Sequence, residues 1–250
     1  MKKLKFTFKT AAGEELAGLL ELPENPKAFA LLAHCFTCGK DLKGAARIAR
    51  KLTENAIAVL RFDFTGLGNS EGDFSNTNFS SNISDLLCAV DYLRRQYEAP
   101  SLLIGHSLGG SAILSIAGEV PEAKAVVTIG SPGELTHVKR LFKDDVENIN
   151  QHGAYPVELA GRVFTLKKQM LDNIQEHKIA HKVFAMNKPL LIFHATEDDT
   201  VLIEQAEKIF KAAKHPKSFI SLGKADHLLT HAQDAEYVAD IIISWSECYL

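Results

Sequence analysis

Polar and apolar residues alternate at the start of the chain. LKFTFK (4–9) alternates throughout, ELAGLLEL (15–22) in part, and Ala-Ala-Gly lies between them. Period-two alternation on both sides of a short turn predicts an antiparallel hairpin. The pattern then changes. AFALLAH, IAVLRFDF, SLLIGHS, AVVTIGS and PLLIFHA are short, nearly continuous apolar runs. Such runs suit strands of a parallel sheet that are covered on both faces. Helix-like segments separate most of them, at 43–55, 82–97, 111–119, 203–213 and 232–249. In the second of these, Ile83, Leu86, Leu87, Val90 and Leu93 share one helical face. The alternation implies an α/β fold with a mostly parallel, doubly wound sheet behind the N-terminal hairpin.

One stretch breaks the rhythm. Residues 133–187 are mostly polar and helix-like, with Phe142, Phe164, Met170, Phe184 and Met186 interspersed. This is too long for an ordinary connection between strands. It is read as a helical cap inserted into a core formed by residues 1–132 and 188–250. Long insertions at strand ends often shape sites; the plainer alternative is a lengthened crossover. Its aromatic residues are expected to pack within the cap rather than touch substrate.

Composition adds exclusions. The 250 residues are 46% hydrophobic and 24% charged with a net charge of −3, ordinary values for a globular domain with a sizeable core. No basic block marks a nucleic-acid or membrane-surface footprint. No apolar run reaches the ~18 residues of a membrane span, and MKKLKFTFK lacks the apolar core of a secretory leader. Four cysteines are too few for a disulfide scaffold, so free thiols in a reducing cytoplasm are expected. Cys88 and Cys248 fall on helical segments and read as packed residues. Cys35 and Cys38 stand in C-x-x-C spacing between a strand and a helix, where a thiol–disulfide pair is one reading. A zinc site is disfavoured, because only His34, Cys35 and Cys38 cluster and a structural site wants four ligands.

The most informative segment is SLLIGHSLGG (101–110), where Gly105-His106-Ser107-Leu108-Gly109 matches G-x-S-x-G. A chain of this length matches that pattern by chance roughly one time in ten, so its placement between a strand and a small-residue helix decides its weight. A sharp turn there would strain the backbone of Ser107, expose its hydroxyl and set it at a helix N-terminus, which favours developing negative charge. A serine hydroxyl still needs a base, and the base needs an orienting acid. Glu197, Asp198 and Asp199 follow PLLIFHAT, and His227 lies in a loop after SFISL. Asp198 is the first choice of acid, before Asp199 and Glu197; the acid run could equally cap the helix near residue 203. His227 is preferred to His231, which falls at the start of the last helix. Gly66-Leu67-Gly68 is not a nucleotide loop, since no Lys-Ser/Thr follows it.

These segments together resemble the α/β-hydrolase superfamily over essentially the whole chain. AHCFTCGKD is similar to the family's His-Gly-Phe oxyanion loop, with Cys35 in place of the usual glycine. FDFTGLGNSEG resembles its D-x-x-G-x-G-x-S signature through Asp63, Gly66, Gly68 and Ser70. ATEDDTV resembles its G-x-x-D-x-x-V acid loop, with Ala195 for glycine, Asp198 as the acid and Val201 matching. Within the superfamily, HCFTCGKD and FDFTGLGNSEGDFSNTNFSSN look most like two groups. One is the small cinnamoyl or feruloyl esterase-like hydrolases. The other is the hydrolase half of bacterial fusions with an OsmC-type peroxide-reductase domain. The chain departs from the fusion pattern by ending at Leu250, as a free-standing relative or as an excised domain whose partner would be OsmC-type.

The resemblance implies an oxyanion hole made by the backbone N–H groups of Phe36 and Leu108, with Phe36 bordering the acyl pocket. It also implies a structural role for His34, and turn-bracing roles for Asp63, Gly66 and Ser70. The implied activity is a serine hydrolase cleaving small carboxylic esters through Ser107, His227 and Asp198, with no metal or organic cofactor. Activity should fall as falling pH protonates His227, which then cannot act as base. A thioesterase or small-peptide hydrolase on the same triad is the nearest alternative. From another class come a thiol–disulfide module using Cys35 and Cys38 and a non-catalytic binding protein. A Cys35–Cys38 disulfide would reshape the oxyanion loop and switch a hydrolase off.

Overall fold

Strands that are apolar on both sides need two covers, and the chain supplies them. The computed structural model describes residues 1–35, 37–159 and 161–250. Its strands are β1 (Lys2–Lys9), β2 (Glu15–Leu22), β3 (Ala28–Ala33), β4 (Ile57–Phe62), β5 (Leu102–His106), β6 (Ala125–Ile129), β7 (Ala154–Leu159), β8 (Arg162–Lys167), β9 (Leu190–His194) and β10 (Lys217–Ser221). Eight of them form one sheet in the order β1-β2-β4-β3-β5-β6-β9-β10. β1 pairs antiparallel with β2, and β2 with β4. From β4 to β10 every pairing is parallel. The predicted hairpin and parallel sheet are both present.

Successive residues of the central strands enter different cores. Leu31, Leu60, Leu103, Val126 and Ile192 point to one side, and their neighbours Leu32, Val59, Ile104, Val127 and Leu191 to the other. The first side is covered by α2 (Phe79–Gln96), α3 (Leu108–Ile116) and α7 (Glu204–Ala212), the second by α1 (Lys43–Glu54) and α8 (Ala232–Ser246). α2 begins three residues before the predicted start because Asn78 caps it. The Asn78 side chain accepts from the Ser81 N–H at 3.0 Å, and the Ser81 hydroxyl accepts from the Asn78 N–H at 3.0 Å. Among the described residues no helix is long and apolar enough to cross a membrane.

Residues 133–187 depart from an all-helical cap. A 3-10 helix (Leu135–Phe142), α4 (Val146–His152), α5 (Lys168–Glu176) and α6 (Ile179–Met186) are helical as expected, but β7 and β8 form an antiparallel hairpin between them. Val157 and Leu159 alternate with polar residues on β7, as do Phe164 and Leu166 on β8, and all four are buried. Phe142, Phe164, Met170 and Met186 join the core that also holds α2 and α3, whereas Phe184 is 58% exposed. The insertion is therefore packed onto the sheet domain rather than standing apart. Cys248 is also a correction: it lies past the end of α8 and is exposed, while Cys88 is half-buried.

Asp85 on α2 accepts from the Thr65 N–H at 2.9 Å and is itself buried. Burial pushes its carboxyl up to about 6, against the pull of its hydrogen bonds with Thr65. The folded state thus keeps a proton that the unfolded chain releases near pH 4. Stability linked to that proton is complete below about pH 4 and is lost as pH rises through about 6. Asp85→Asn is neutral at every pH and can still accept from Thr65. It is expected to exceed the parent by about 1–3 kcal/mol at pH 8 and to show no gain at pH 4. Urea midpoints at the two pH values measure this; equal gains at both would contradict a buried, ionised carboxylate.

Candidate active site

The site lies where β3, β5, β9 and β10 end. Open α/β sheets bind ligands at the carboxyl ends of their strands. Ser107 joins β5 to α3 with φ +55°, in the left-handed region that a non-glycine residue rarely adopts. The flanking glycines make the turn sterically feasible. A Cβ at Gly105 would lie 2.3 Å from the Gly110 Cα, and one at Gly109 would lie 2.3 Å from the His34 carbonyl oxygen. As the first residue of α3, Leu108 has an N–H with no acceptor inside the helix. Phe36, the other expected oxyanion donor, lies outside the described residues.

Residues 107, 198 and 227 converge in space from three separate loops. The Ser107 Oγ is 3.0 Å from the His227 Nε2, and the His227 Nδ1 is 2.7 Å from the Asp198 Oδ2. The other oxygen of Asp198 accepts from the N–H groups of Thr200 and Val201 at 3.0 and 2.9 Å. Of the three adjacent acids, Asp198 is the one bonded to His227. Asp198 is buried, whereas Asp199 is exposed and Glu197 reaches out to Lys224 at 3.5 Å. Burial works against ionisation of Asp198. The hydrogen bond and charge of His227 and the Val201 N–H outweigh it and hold the carboxyl below its ordinary value. His231 is exposed and caps nothing with its side chain.

Three supports went unread in the sequence. His106 donates from its Nε2 to the His227 carbonyl at 2.7 Å. Burial, with His227 beside it, pushes its imidazole down to about 3, so it stays neutral and keeps that tautomer. His194 makes the same kind of bond to the Val201 carbonyl at 2.7 Å, bracing the acid loop. Asp226 closes the turn that presents His227 by accepting from Leu228 N–H at 2.9 Å and Thr230 Oγ1 at 2.6 Å. A signal for the first two existed. Each is a polar residue ending an apolar strand, and a buried polar group demands a partner.

The loop after β3 is held from below. His34 donates from Nδ1 to the Cys35 carbonyl at 2.7 Å, and its Nε2 accepts from the Phe64 N–H at 3.5 Å. The structural role expected of His34 fits these bonds. Asp63 accepts from the Lys40 N–H at 2.7 Å, the Lys40 Nζ at 2.6 Å and the Asn69 N–H at 3.0 Å. The Ser70 hydroxyl donates to the Asp63 carbonyl at 2.5 Å. Below them, Arg61 donates to the Lys40 carbonyl and, at 2.5 Å, to Glu21. Glu21, Arg61, Lys40 and Asp63 are all buried.

A cavity of about 260 Å³ opens over Ser107 and His227. Leu141 and Leu159 from the insertion, Leu228, Thr37, Cys35 and Cys38 form much of its wall. The two cysteines are joined as a disulfide, with Cα atoms 5.3 Å apart. This corrects the expectation of free thiols for that pair. A three-residue separation in a turn brings the two Cα atoms within disulfide reach. Larger cavities of about 340 and 540 Å³, beside Phe210 and beside Tyr92, contain no serine–histidine pair. Among the described residues no group of three or more His, Cys, Asp or Glu is placed to hold a metal ion.

Known proteins resemble this chain in sequence and fold. The family model "Serine aminopeptidase, S33" (Hydrolase_4) matches residues 24–144. The esterase domain of a Rhodothermus marinus protein is 44% identical over 100% of this chain and 99% of its own, with a TM-score of 0.81. Est1E from Butyrivibrio proteoclasticus, solved with ferulic acid, is 21% identical over 98% of both chains, with a TM-score of 0.79, and shares the fold. By sequence, the mitochondrial palmitoyl-protein thioesterase ABHD10 of Bos taurus is 26% identical over 58% of this chain. The chain spans about half the length of the curated relatives it first matches, 48% for that protein. The chain belongs to the α/β-hydrolase superfamily. These relatives, an esterase domain among them, support a hydrolase.

Proposed function

We propose that the chain hydrolyses carboxylic esters through an acyl-enzyme on Ser107. The observation that carries this reading is the Ser107–His227–Asp198 hydrogen-bond chain at the floor of an apolar cavity. The Ser107 Oγ attacks the ester carbonyl as its proton passes to the His227 Nε2. Asp198, ionised well below neutral pH, holds the imidazole by Nδ1 and stabilises its charged form. The Leu108 N–H faces the developing oxyanion together with the expected N–H of Phe36. Each such donor is typically worth ~3 kcal/mol in the transition state. Collapse expels the alcohol, which takes the proton from Nε2. A water activated by His227 then attacks the acyl carbonyl and releases the acid and Ser107.

Two relatives favour different leaving groups. The esterase domain, 44% identical over the full chain, supports an oxygen ester. The ABHD10 likeness supports a thioester as the second reading. The deciding experiment is labelling with a fluorophosphonate probe, peptide mapping of the label, and turnover of matched acetyl and butyryl esters and thioesters. Label on Ser107 with faster ester turnover is the expected result. Faster thioester turnover selects the second reading. A folded protein with neither label nor turnover refutes both.

A further inference from the structure

The C-x-x-C pair has no part in the acyl-enzyme chemistry, yet it lies in the wall of the catalytic cavity. We propose that Cys35–Cys38 is an exchangeable disulfide, open to a dithiol reductant, whose closure keeps that wall in the shape that supports turnover. The proposal rests on the hydrolase reading above.

Four observations carry it. First, both cysteines line the same 260 Å³ cavity as Ser107 and His227. Second, the described residues of the segment around them are anchored at its two ends. His34 is fixed by the Cys35 carbonyl and the Phe64 N–H, and Lys40 by Asp63, Asn69 and the Arg61 guanidinium. Between these anchors, among the described residues, the cross-links are one Cys38 N–H to Cys35 carbonyl bond at 3.3 Å and the disulfide itself. Opening the disulfide leaves, among the described residues between the anchors, that single backbone bond from Cys38 to Cys35. Third, the Ser107–His227–Asp198 geometry is complete with the disulfide closed. The triad hydrogen bonds thus coexist with the closed disulfide, and closure is assigned the opposite effect to the off-switch expected from the sequence. Fourth, Cys35 is 6% exposed and Cys38 is half-buried, so an incoming thiolate meets Cys38 first.

The exchange balances. A thiolate of the dithiol attacks the Cys38 Sγ, the Sγ–Sγ bond breaks and Cys35 leaves as thiolate. The dithiol's second thiolate attacks its own sulfur in the mixed disulfide and releases the Cys38 thiolate. The dithiol ends as a disulfide, oxidised by two electrons, and the cysteine pair is reduced by two and takes up two protons.

The test uses the full chain, native, with dithiothreitol as the dithiol. Titratable thiols should rise from two, Cys88 and Cys248, to the four in the chain. In the reduced state kcat/KM for p-nitrophenyl octanoate should fall at least about 10-fold, since small misplacements at a preorganised site cost up to ~10²-fold. Reoxidation should restore it. Cys38→Ser should show the low rate with or without dithiothreitol. Four thiols with an unchanged or faster rate would overturn the proposal, as would a native protein in which only two thiols ever titrate. Unchanged fluorophosphonate labelling of Ser107 in those cases leaves the hydrolase reading standing. No labelling and no turnover in either redox state removes that reading and this inference with it.

Discussion

Ser107→Ala, His227→Ala and Asp198→Asn are each expected to lower kcat for p-nitrophenyl acetate by about 10⁴- to 10⁶-fold, Asp198→Asn least. In the proposed mechanism the three act as one relay. His227 can accept the Ser107 proton at Nε2 only while its other nitrogen carries a proton pointed at Asp198, 2.7 Å away. Asparagine at 198 can keep the acceptor for Thr200 and Val201 N–H while turning an amide NH₂ toward Nδ1. That stabilises the tautomer whose Nε2 is already protonated and cannot act as base. Combining Ser107→Ala with His227→Ala should cost little beyond the worse single change, because neither group contributes without the other. Asp199→Asn is the matched control. Its side chain is exposed and bonds Thr200 at 3.2 Å, so it should change kcat less than about 3-fold, within the range of surface substitutions. Steady-state kinetics on the four single variants and the double, each with native circular dichroism, measures this. A large loss in Asp199→Asn with activity kept in Asp198→Asn would reassign the acid.

The candidate positions Ser107, Asp198 and His227 and the sheet could be read in the sequence for a common reason: both leave marks at fixed spacing. A strand covered on both faces writes an unbroken apolar run, as at 102–106 and 190–194. An elbow at Ser107 needs glycine at 105 and 109, because backbone already occupies the space of a side chain there. What a run of acids cannot show is which member faces inward. That depends on where the N–H groups of Thr200 and Val201 point, a property of the folded turn. The β7–β8 hairpin was missed although Val157, Leu159, Phe164 and Leu166 carry its period of two, because the flanking helices set the apparent rhythm of the whole insertion. The buried charges were invisible. Glu21 and Arg61 each read as an ordinary residue within a strand, and only the sheet register of β2 against β4 sets them together.

That buried set carries the second large effect. Asp63→Asn is expected to destabilise the fold by about 3–5 kcal/mol, the cost of leaving a partner charge buried alone. Two anions, Glu21 and Asp63, balance two cations, Arg61 and Lys40, in a space closed to water. Removing one anion leaves the Lys40 ammonium with Asn69 at 3.0 Å and the largely exposed Asp41 at 3.6 Å. The pocket cannot relax, since a Cβ at Gly68 would already lie 2.3 Å from the Asp63 carboxylate, and one at Gly39 would lie 2.9 Å from it. In a chain of this size the loss corresponds to a fall in Tm of roughly 10 °C. Lys40→Met should be destabilising alone, yet less so when Asp63→Asn is already present, because the double variant leaves no unpaired charge between them. Urea unfolding of the two singles and the double closes the cycle. The same loop carries Cys35 and Cys38, so the folded fraction of Asp63→Asn should also label more slowly with fluorophosphonate. An unchanged unfolding midpoint in Asp63→Asn would mean that the ion pair is not what holds the loop. The backbone bonds of Asp63 to Lys40 and Asn69, which asparagine can partly keep, would then be sufficient.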